Sequence, residues 1–307
     1  MADDTVAHQA LHEQAAFQLA NVNKTAPQYG AITPRWLVRL LDWKPIETGI
    51  FRLNRVDEGK AIEVTCGQVE ETSLPGTYVQ YEEKPKEYRL SAINAVLNVH
   101  TRISDLFGKP YDQTAEQLRL IIEHVKERQE SELLNNADYG FLHRVVPAQR
   151  LKTRTGAPTP DDLDELLTRV WKEPSFFLAH PRTIAAFGRE CTRRGVPPPT
   201  ITLFGSQFLT WRGLPLVPTD KIRIKNSDNK SKILLLRVGE RKQGCIGLFQ
   251  SGLPGEQSPG LSVRFMGIGN NSLASYLISL YCSSAVLTDD AIAVLEDVDV
   301  SKYHEYK

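Results

Sequence analysis

The chain has 307 residues, 41% of them hydrophobic and 24% charged, an ordinary globular composition with enough apolar side chain for a sizeable core and about two domains. Its 37 Lys and Arg balance its 37 Asp and Glu, which argues against wholesale binding of nucleic acid or anionic membrane, since both need a basic excess. No apolar run reaches the ~20 residues of a membrane helix, and the acidic opening MADDTVAHQALHEQ does not read as a secretory signal. Cys66, Cys191, Cys245 and Cys282 are too scattered for a disulfide framework or a zinc motif, so buried thiols in a reduced cytoplasm are expected.

Residues 3–20 read as an amphipathic helix, with Ala7, Leu11 and Ala15 on one side and Phe17 and Leu19 adding apolar area. Residues 21–32 are polar and read as an extended arm. Thr33-Pro34 then opens a helix, with threonine as cap and proline at the first helical position. It carries Trp36, Leu37, Leu40 and Leu41, stops near Pro45, and is expected to dock on something else. From 46 to 90 the segments GIFRLNRV, AIEVTCGQ, TYVQYEE and KPKEYRL alternate like strands. They read as a long hairpin too thin to hold its own core. Residues 91–107, SAINAVLNVHTRISDLF, fit a helix by spacing and a strand by β-branched content, and periodicity leaves the choice open.

Thr114–Leu134 is the clearest helix, about 30 Å long. Thr114 and Gln117 suggest a capping box, and Leu118, Ile121, Ile122 and Val125 form its apolar stripe. Its second half is polar, with Arg119/Glu123 and Arg128/Glu132 pairs expected on an exposed surface. After the basic link PAQRLKTRTGAP, Thr159-Pro160 opens a helix whose stripe is Leu163, Leu166, Leu167, Val170 and Trp171. SFFLAHP reads as a strand and RTIAAFGRECTRRG as a helix, ended by Gly195 and three prolines. LFGSQFLTWRGLPLVPTDKIRI is a buried sheet element broken by a Trp-Arg-Gly turn. The turn KNSDNK, the strands KILLLRVG, GCIGLFQ and LSVRFMG, and the run SYLISLYCSSAVLTDDAIAVLEDV complete the chain.

Local chemistry is sparse. His8 and His12 stand four apart on a helix, the spacing of a metal pair, but both face outward and no third ligand is near. The other histidines share no motif, and His124 reads as solvated. GIGNNS at 267–272 lacks the third glycine and the following helix of a dinucleotide fingerprint, so a turn between strands is expected. Lys221, Arg223, Lys225, Lys230, Lys232, Arg237, Arg241 and Lys242 form a basic segment, by default a solvated strand face and otherwise an anion-attracting surface. No catalytic constellation stands in any local stretch. Distant residues can still assemble one, so a soluble α/β enzyme with dispersed catalytic residues is the alternative reading.

The order of parts resembles the major capsid protein of tailed bacteriophages, the α+β Hong Kong 97 capsid-type fold. More closely, KERQESELLNN, RTRTGAPTPDDLDEL, FFLAHPRTIAAFGRE, TRRGVPPPT, FGSQFLTWRG, GEQSPGLSVRFMG and SLYCSSAVLTDDAIAVL are similar to the family 2A encapsulin shell proteins, over nearly the whole chain. No inserted cyclic-nucleotide-binding domain, which other family 2 members carry, is visible. The resemblance implies an N-terminal arm (1–45), an extended loop (46–90), a peripheral domain (91–182) with a spine helix at about 114–134, an axial domain (183–262) and closing peripheral strands (263–307). It favours strand over helix for residues 91–104.

Functionally, the resemblance implies a homo-oligomeric icosahedral shell of the smallest class, T=1, with about 60 copies. That shell would lie in the cytoplasm, with neither nucleic acid nor membrane as partner, around a cargo enzyme. The family's usual cargo is a cysteine desulfurase, whose pyridoxal phosphate belongs to the cargo, while the shell protein holds no cofactor, metal or catalytic residue. The axial tips CTRRGVPPP and KNSDNK become pore-rim candidates, with Arg193, Arg194, Lys225, Asn226, Ser227, Asp228, Asn229 and Lys230. Leu11, Phe17, Leu19 and Trp36 become candidate inter-subunit contacts of the arm.

Overall fold

The computed structural model describes residues 29–57, 64, 76, 78–100, 113–225, 227–270 and 272–303. The expected first helix, the middle of the long hairpin, and Leu11, Phe17, Leu19, Cys66 and Asn226 lie outside these residues. The first half of the described chain runs α1 (Trp36–Leu40), β1 (Asp42–Ile46), β2 (Ile50–Leu53), β3 (Lys86–Arg89), β4 (Ser91–His100), α2 (Gln113–Asn135) and α3 (Phe141–Arg144). Next come β5 (Arg150–Lys152), α4 (Pro160–Arg169), β6 (Phe176–Ala179), α5 (Pro181–Arg193), β7 (Thr200–Leu203), β8 (Ser206–Trp211) and β9 (Leu214–Pro218). The chain ends with β10 (Lys230–Leu236), β11 (Cys245–Gln250), β12 (Glu256–Ser258), β13 (Leu261–Ile268), β14 (Leu273–Val286) and β15 (Ile292–Asp299).

Residues 91–100 form a strand, as the resemblance implied. Ile93, Ala95, Leu97 and Val99 alternate toward a core, while Ala92, Asn94 and Val96 face solvent. Pairing decides the conformation: β4 lies antiparallel along Leu273–Cys282 of β14, and β13 runs along the other edge of that segment. Beyond it, β14 pairs with β11, and β11 pairs with β1 in parallel. Gly247 of β11 is required there, because a Cβ would sit 2.6 Å from the Trp43 ring. Helix α2 covers one face of this sheet through Leu118, Ile121, Ile122 and Val125, the stripe the spacing predicts.

The second sheet has the order β5-β15-β10-β6-β9-β8-β7. Its central strands are buried on both faces, so they read as unbroken apolar runs. Phe177, Ile233, Leu235, Ala293 and Leu295 pack under α4 and α5. Phe176, Leu178, Leu234, Leu236, Ile292 and Val294 turn the other way, into a core shared with α1 and with Leu133 and Leu134 of α2. Two tight hairpins edge this sheet. Phe204-Gly205 and Arg212-Gly213 each supply two consecutive positive φ values (51° and 76°, 50° and 85°), the geometry of a two-residue turn matched to strand twist. Of the expected turn at 267–272, Gly267 and Ile268 still belong to β13, and the connection to β14 is closed by the Ser272 N–H donating to the Gly269 carbonyl at 3.0 Å.

Each sheet draws strands from more than one of the expected segments. β5 and β6, expected in 91–182, and β15, expected in 263–307, belong to the second sheet with β10. β11 and β12, expected in 183–262, belong to the helix-backed sheet. Long-range pairing sets the division, and no local signal announces it. The hairpin, too thin for a core of its own, shares one at its base. Its base, β2 with β3, packs on this chain through Tyr88, Phe51 and Leu53, and the Tyr88 hydroxyl donates to the Val286 carbonyl at 2.7 Å.

The caps divide in the same way. Thr159 forms the expected cap, its hydroxyl accepting from the Asp162 N–H while Asp162 accepts from the Thr159 N–H. Thr114 does not cap, because α2 already runs at Gln113. Thr33 does not cap either. Its N–H and hydroxyl donate to the Glu127 carboxylate at 2.8 and 2.9 Å, and α1 starts after Arg35 in a left-handed conformation. The supposedly exposed half of α2 therefore carries buried acids. Glu127 also meets Arg35 at 3.2 Å and Lys221 at 2.9 Å, and Glu123 pairs with Arg35 at 2.6 Å rather than with Arg119. Glu130, 1% exposed, accepts the Leu37 N–H at 2.9 Å. The Arg128–Glu132 pair forms as expected.

Two predictions follow from these acids. Glu127→Ala leaves Arg35 and Lys221 enclosed with less counter-charge, and should cost about 3 kcal/mol. Glu132→Ala breaks a pair whose arginine is exposed, and should cost under about 1 kcal/mol. Thermal midpoints of the two variants in one buffer should differ clearly, and equal midpoints would refute the role given to Glu127. Burial pushes the Glu130 carboxyl up to about 7, although the Leu37 N–H and Lys221 pull it down. An unfolded glutamate titrates near ~4.3. Between these values the folded state keeps a proton that the unfolded state has lost, so stability falls as pH rises through this window. Glu130→Gln keeps an acceptor for Leu37 and removes that loss. It should exceed the native chain in stability at pH 8, by at most about 4 kcal/mol, and the advantage should shrink at pH 5. Thermal melts across that range check it.

Candidate assembly surfaces

The two tips expected to ring a pore are arranged differently. Arg193 and Arg194 sit at the end of α5, where two exposed guanidiniums at a helix C-terminus suit the dipole. Both turn back on Glu190, at 3.0 and 3.3 Å, and Arg194 also reaches Asp161 of α4 at 3.6 Å. Lys225 and Lys230 close the other tip through a backbone bond of 2.8 Å, with Asn229 at φ 52°. Ser227, Asp228 and Asn229 are exposed on it. Lys230 lies 3.9 Å from Asp228 and 3.6 Å from Asp297. The two tips share no ion-pair partner, and the arginine tip is the more fully neutralised within the chain.

Trp36 is not an outward arm contact. It is 5% exposed and packs edge-on against Phe208 at 5.2 Å and beside Phe204 at 5.9 Å. A helix that looks isolated in sequence finds its core residues far along the chain. Trp171 errs the other way. Helix α4 ends at Arg169, so Trp171 leaves the stripe and lies exposed under the Lys172 ammonium.

Sequence reasoning missed one apolar surface. Phe265, Met266 and Ile268, at the end of β13, are 57%, 60% and 63% exposed, and Phe265 meets Tyr276 at 5.3 Å. The legible signal is the run FMGI, which breaks the alternation of a half-buried strand. Val64, Tyr78 and Tyr81 of the hairpin are exposed as well.

The basic segment is neither a plain solvated face nor a uniform positive surface. Arg237 is buried, and donates to Asp290 at 2.7 Å and to the Thr288 hydroxyl at 2.6 Å. Burial opposes the Asp290 carboxylate, but hydrogen bonds from Arg237, Thr288 and Lys172 outweigh it and hold its carboxyl well below the usual range. Lys232 pairs with Glu296 and Lys242 with Glu173. His124 is exposed, yet accepts from or donates to the Tyr29 hydroxyl at 2.6 Å.

Cys191, Cys245 and Cys282 are free and buried. Burial pushes the Cys191 thiol up to about 11 and the Cys282 thiol up to about 12, far from the thiolate a nucleophile needs. Among the described residues, no three His, Cys, Asp or Glu side chains gather as metal ligands, and no helix is long and apolar enough to cross a membrane.

The pattern of the SrpI-like type 2A encapsulin shell proteins matches residues 51–302. The type 2A encapsulin shell protein SrpI of Synechococcus elongatus is 64% identical over 304 residues, 99% of each chain. The type 2A encapsulin shell protein of Mycolicibacterium paratuberculosis is 58% identical, over 97% of each. The cryo-EM structure of the holo-SrpI encapsulin complex from Synechococcus elongatus superposes with a TM-score of 0.85 at 62% identity, over 97% of this chain and 99% of that one. The capsid of the native GTA particle superposes at 0.63 with 12% identity, over 89% and 94%, which shows the shared fold alone. The relatives are named as shell proteins and not as enzymes. Pattern, identity and superposition agree over nearly the whole length: the chain belongs to the type 2A encapsulin shell proteins, with the Hong Kong 97 capsid-type fold, and assembles with copies of itself into a capsid-like shell.

Proposed function

We propose that this shell is icosahedral and of the smallest class, with about 60 copies, and that it lies in the cytoplasm around a cysteine desulfurase. The cargo would carry the pyridoxal phosphate and release sulfur from cysteine inside the wall, for metabolism or storage. The shell chain contributes enclosure and selective passage, with no cofactor of its own. The observation that carries this reading is the near-complete superposition on an encapsulin solved as a holo complex.

The physics of the surface supports it. Val64, Tyr78 and Tyr81 on the hairpin, and Phe265 and Met266 on β13, expose large apolar groups that the described residues leave uncovered. Heterologous contacts that repeat under symmetry can cover such groups and close a shell. Leu11, Phe17 and Leu19 of the N-terminal segment are proposed to join these contacts. A desulfurase inside needs cysteine to enter and alanine to leave, so the wall needs openings. The tips at 191–199 and 225–230 are the proposed rims.

Purified chain at micromolar concentration should scatter light as uniform particles of roughly 2 MDa, hollow by negative-stain microscopy. Monomers or dimers in several buffers would overturn the closed shell. Co-expressed with a cysteine desulfurase, the shell should carry that enzyme through size exclusion with a pyridoxal-phosphate absorbance band. Separate elution would remove the desulfurase and leave the shell standing. For the rim, Lys225→Glu with Lys230→Glu should change uptake of a small anionic probe by intact particles more than Arg193→Glu with Arg194→Glu, because Glu190 already neutralises the arginine tip. Unchanged uptake in both would move the traffic to another opening.

A further inference from the structure

A cleft of about 350 Å³ lies where the end of α2, helix α3, the 222–225 segment and the adjoining ends of β10 and β15 meet. Its size suits a small molecule. Arg150, Arg223, Lys225, Lys230 and Lys232 line it, against two carboxylates, Glu296 and Asp297. Those carboxylates are shared closely. Glu296 receives Lys232 at 2.7 Å and Arg150 at 3.0 Å on one oxygen, and Asp297 lies 3.6 Å from Lys230. Burial pulls the Glu296 carboxyl up, but Lys232 and Arg150 outweigh it and hold it low. Arg223 and Lys225 are exposed and have no ion-pair partner among the described residues. The cleft therefore holds a surplus of three positive charges.

A second observation is independent of charge. Ser231, 3% exposed, lines the same cleft, and its buried hydroxyl has no hydrogen-bond partner among the described residues. Such a group is costly unless something accepts from it or donates to it. Lysines at strand ends are usually just solvated, and Lys230 or Lys232 alone would carry no inference. Here cations from three separate chain segments converge on one concavity that also contains an unsatisfied buried donor. The Arg150 guanidinium is spent on the Val145 and Leu142 carbonyls and on Glu296, while Arg223 offers the planar fork that oxyanions fit.

We propose that this cleft binds a compact oxyanion carrying about three negative charges, the diphosphate class, with Arg223, Lys225 and Lys230 as its cationic partners and the Ser231 hydroxyl as a neutral donor. Either inorganic diphosphate or the diphosphate arm of a nucleotide supplies this chemistry.

Calorimetric titration of the assembled full-length chain, at fixed ionic strength, uses sodium diphosphate in one arm and ADP in the other. Saturable binding of one diphosphate per chain is expected, weakened at least about tenfold in Arg223→Glu and in Lys225→Glu and unaffected by Arg241→Glu. Tighter binding of ADP than of inorganic diphosphate assigns the site to a nucleotide, and the reverse assigns it to the free anion. Ser231→Ala tests the donor without altering charge. It should weaken binding severalfold while particle size and thermal midpoint stay unchanged. No saturable heat in either arm overturns the proposal, and so does equal loss of binding in Arg241→Glu and Lys225→Glu.

Discussion

One buried carboxylate joins three distant parts of this chain. Glu127 takes both donors of Thr33, shares Arg35 with Glu123, and meets the Lys221 ammonium. It is 7% exposed, so desolvation alone would make its charge expensive. The partners arrive from the segment before α1 and from the segment after β9. Removing any one would leave enclosed charge behind, which is how such a cluster fixes a single arrangement. With Glu130 on the Leu37 N–H, the polar face of α2 pins the N-terminal segment while its apolar face covers a sheet.

The two sheets are coupled through the same helix. Its first half packs on β4, β13 and β14, and its last turn places Leu133 and Leu134 in the core under the second sheet. Cys245 and Val286, at the near ends of β11 and β14, enter that second core as well. A displacement of one sheet would therefore disturb apolar packing and the Glu127 cluster together. A subunit of a closed wall profits from this, because contacts repeated by symmetry amplify any internal play.

Much of the local structure was legible because its cause is local. Thr159 with Asp162 makes a reciprocal cap within four residues, and the Leu163-to-Val170 stripe needs only helical spacing. The Arg212-Gly213 turn and the apolar runs of β6 and β10 announce themselves in the same way. What stayed hidden depends on distant partners. Trp36 reads as an exposed arm residue until Phe204 and Phe208 arrive. Glu127 and Glu130 read as a solvated face until Thr33, Leu37 and Lys221 cover them. The sharing of strands between the two sheets stayed hidden too, because β15 pairs with β5 and β10 across long stretches of chain. The rim and arm residues are harder still, since their roles would arise only between copies.

The zero net charge acquires a physical meaning from these pairings. The basic segment from 221 to 242 looks like a positive surface in sequence, yet Lys221 turns to Glu127, Lys232 to Glu296 and Arg237 to Asp290. Charge is neutralised largely inside each subunit, so copies of the chain can approach edge to edge without strong repulsion. In the proposed shell, that leaves exposed apolar groups such as Phe265, Met266 and Tyr81 to supply the attraction. The basic cleft at Arg223 and Lys225 departs from this pattern. Internal pairing there stops short of balance, and the surplus stands beside a buried hydroxyl rather than on an open face. Five cations against two carboxylates, gathered in one concavity beside a buried hydroxyl, make an arrangement that a bound anion would complete.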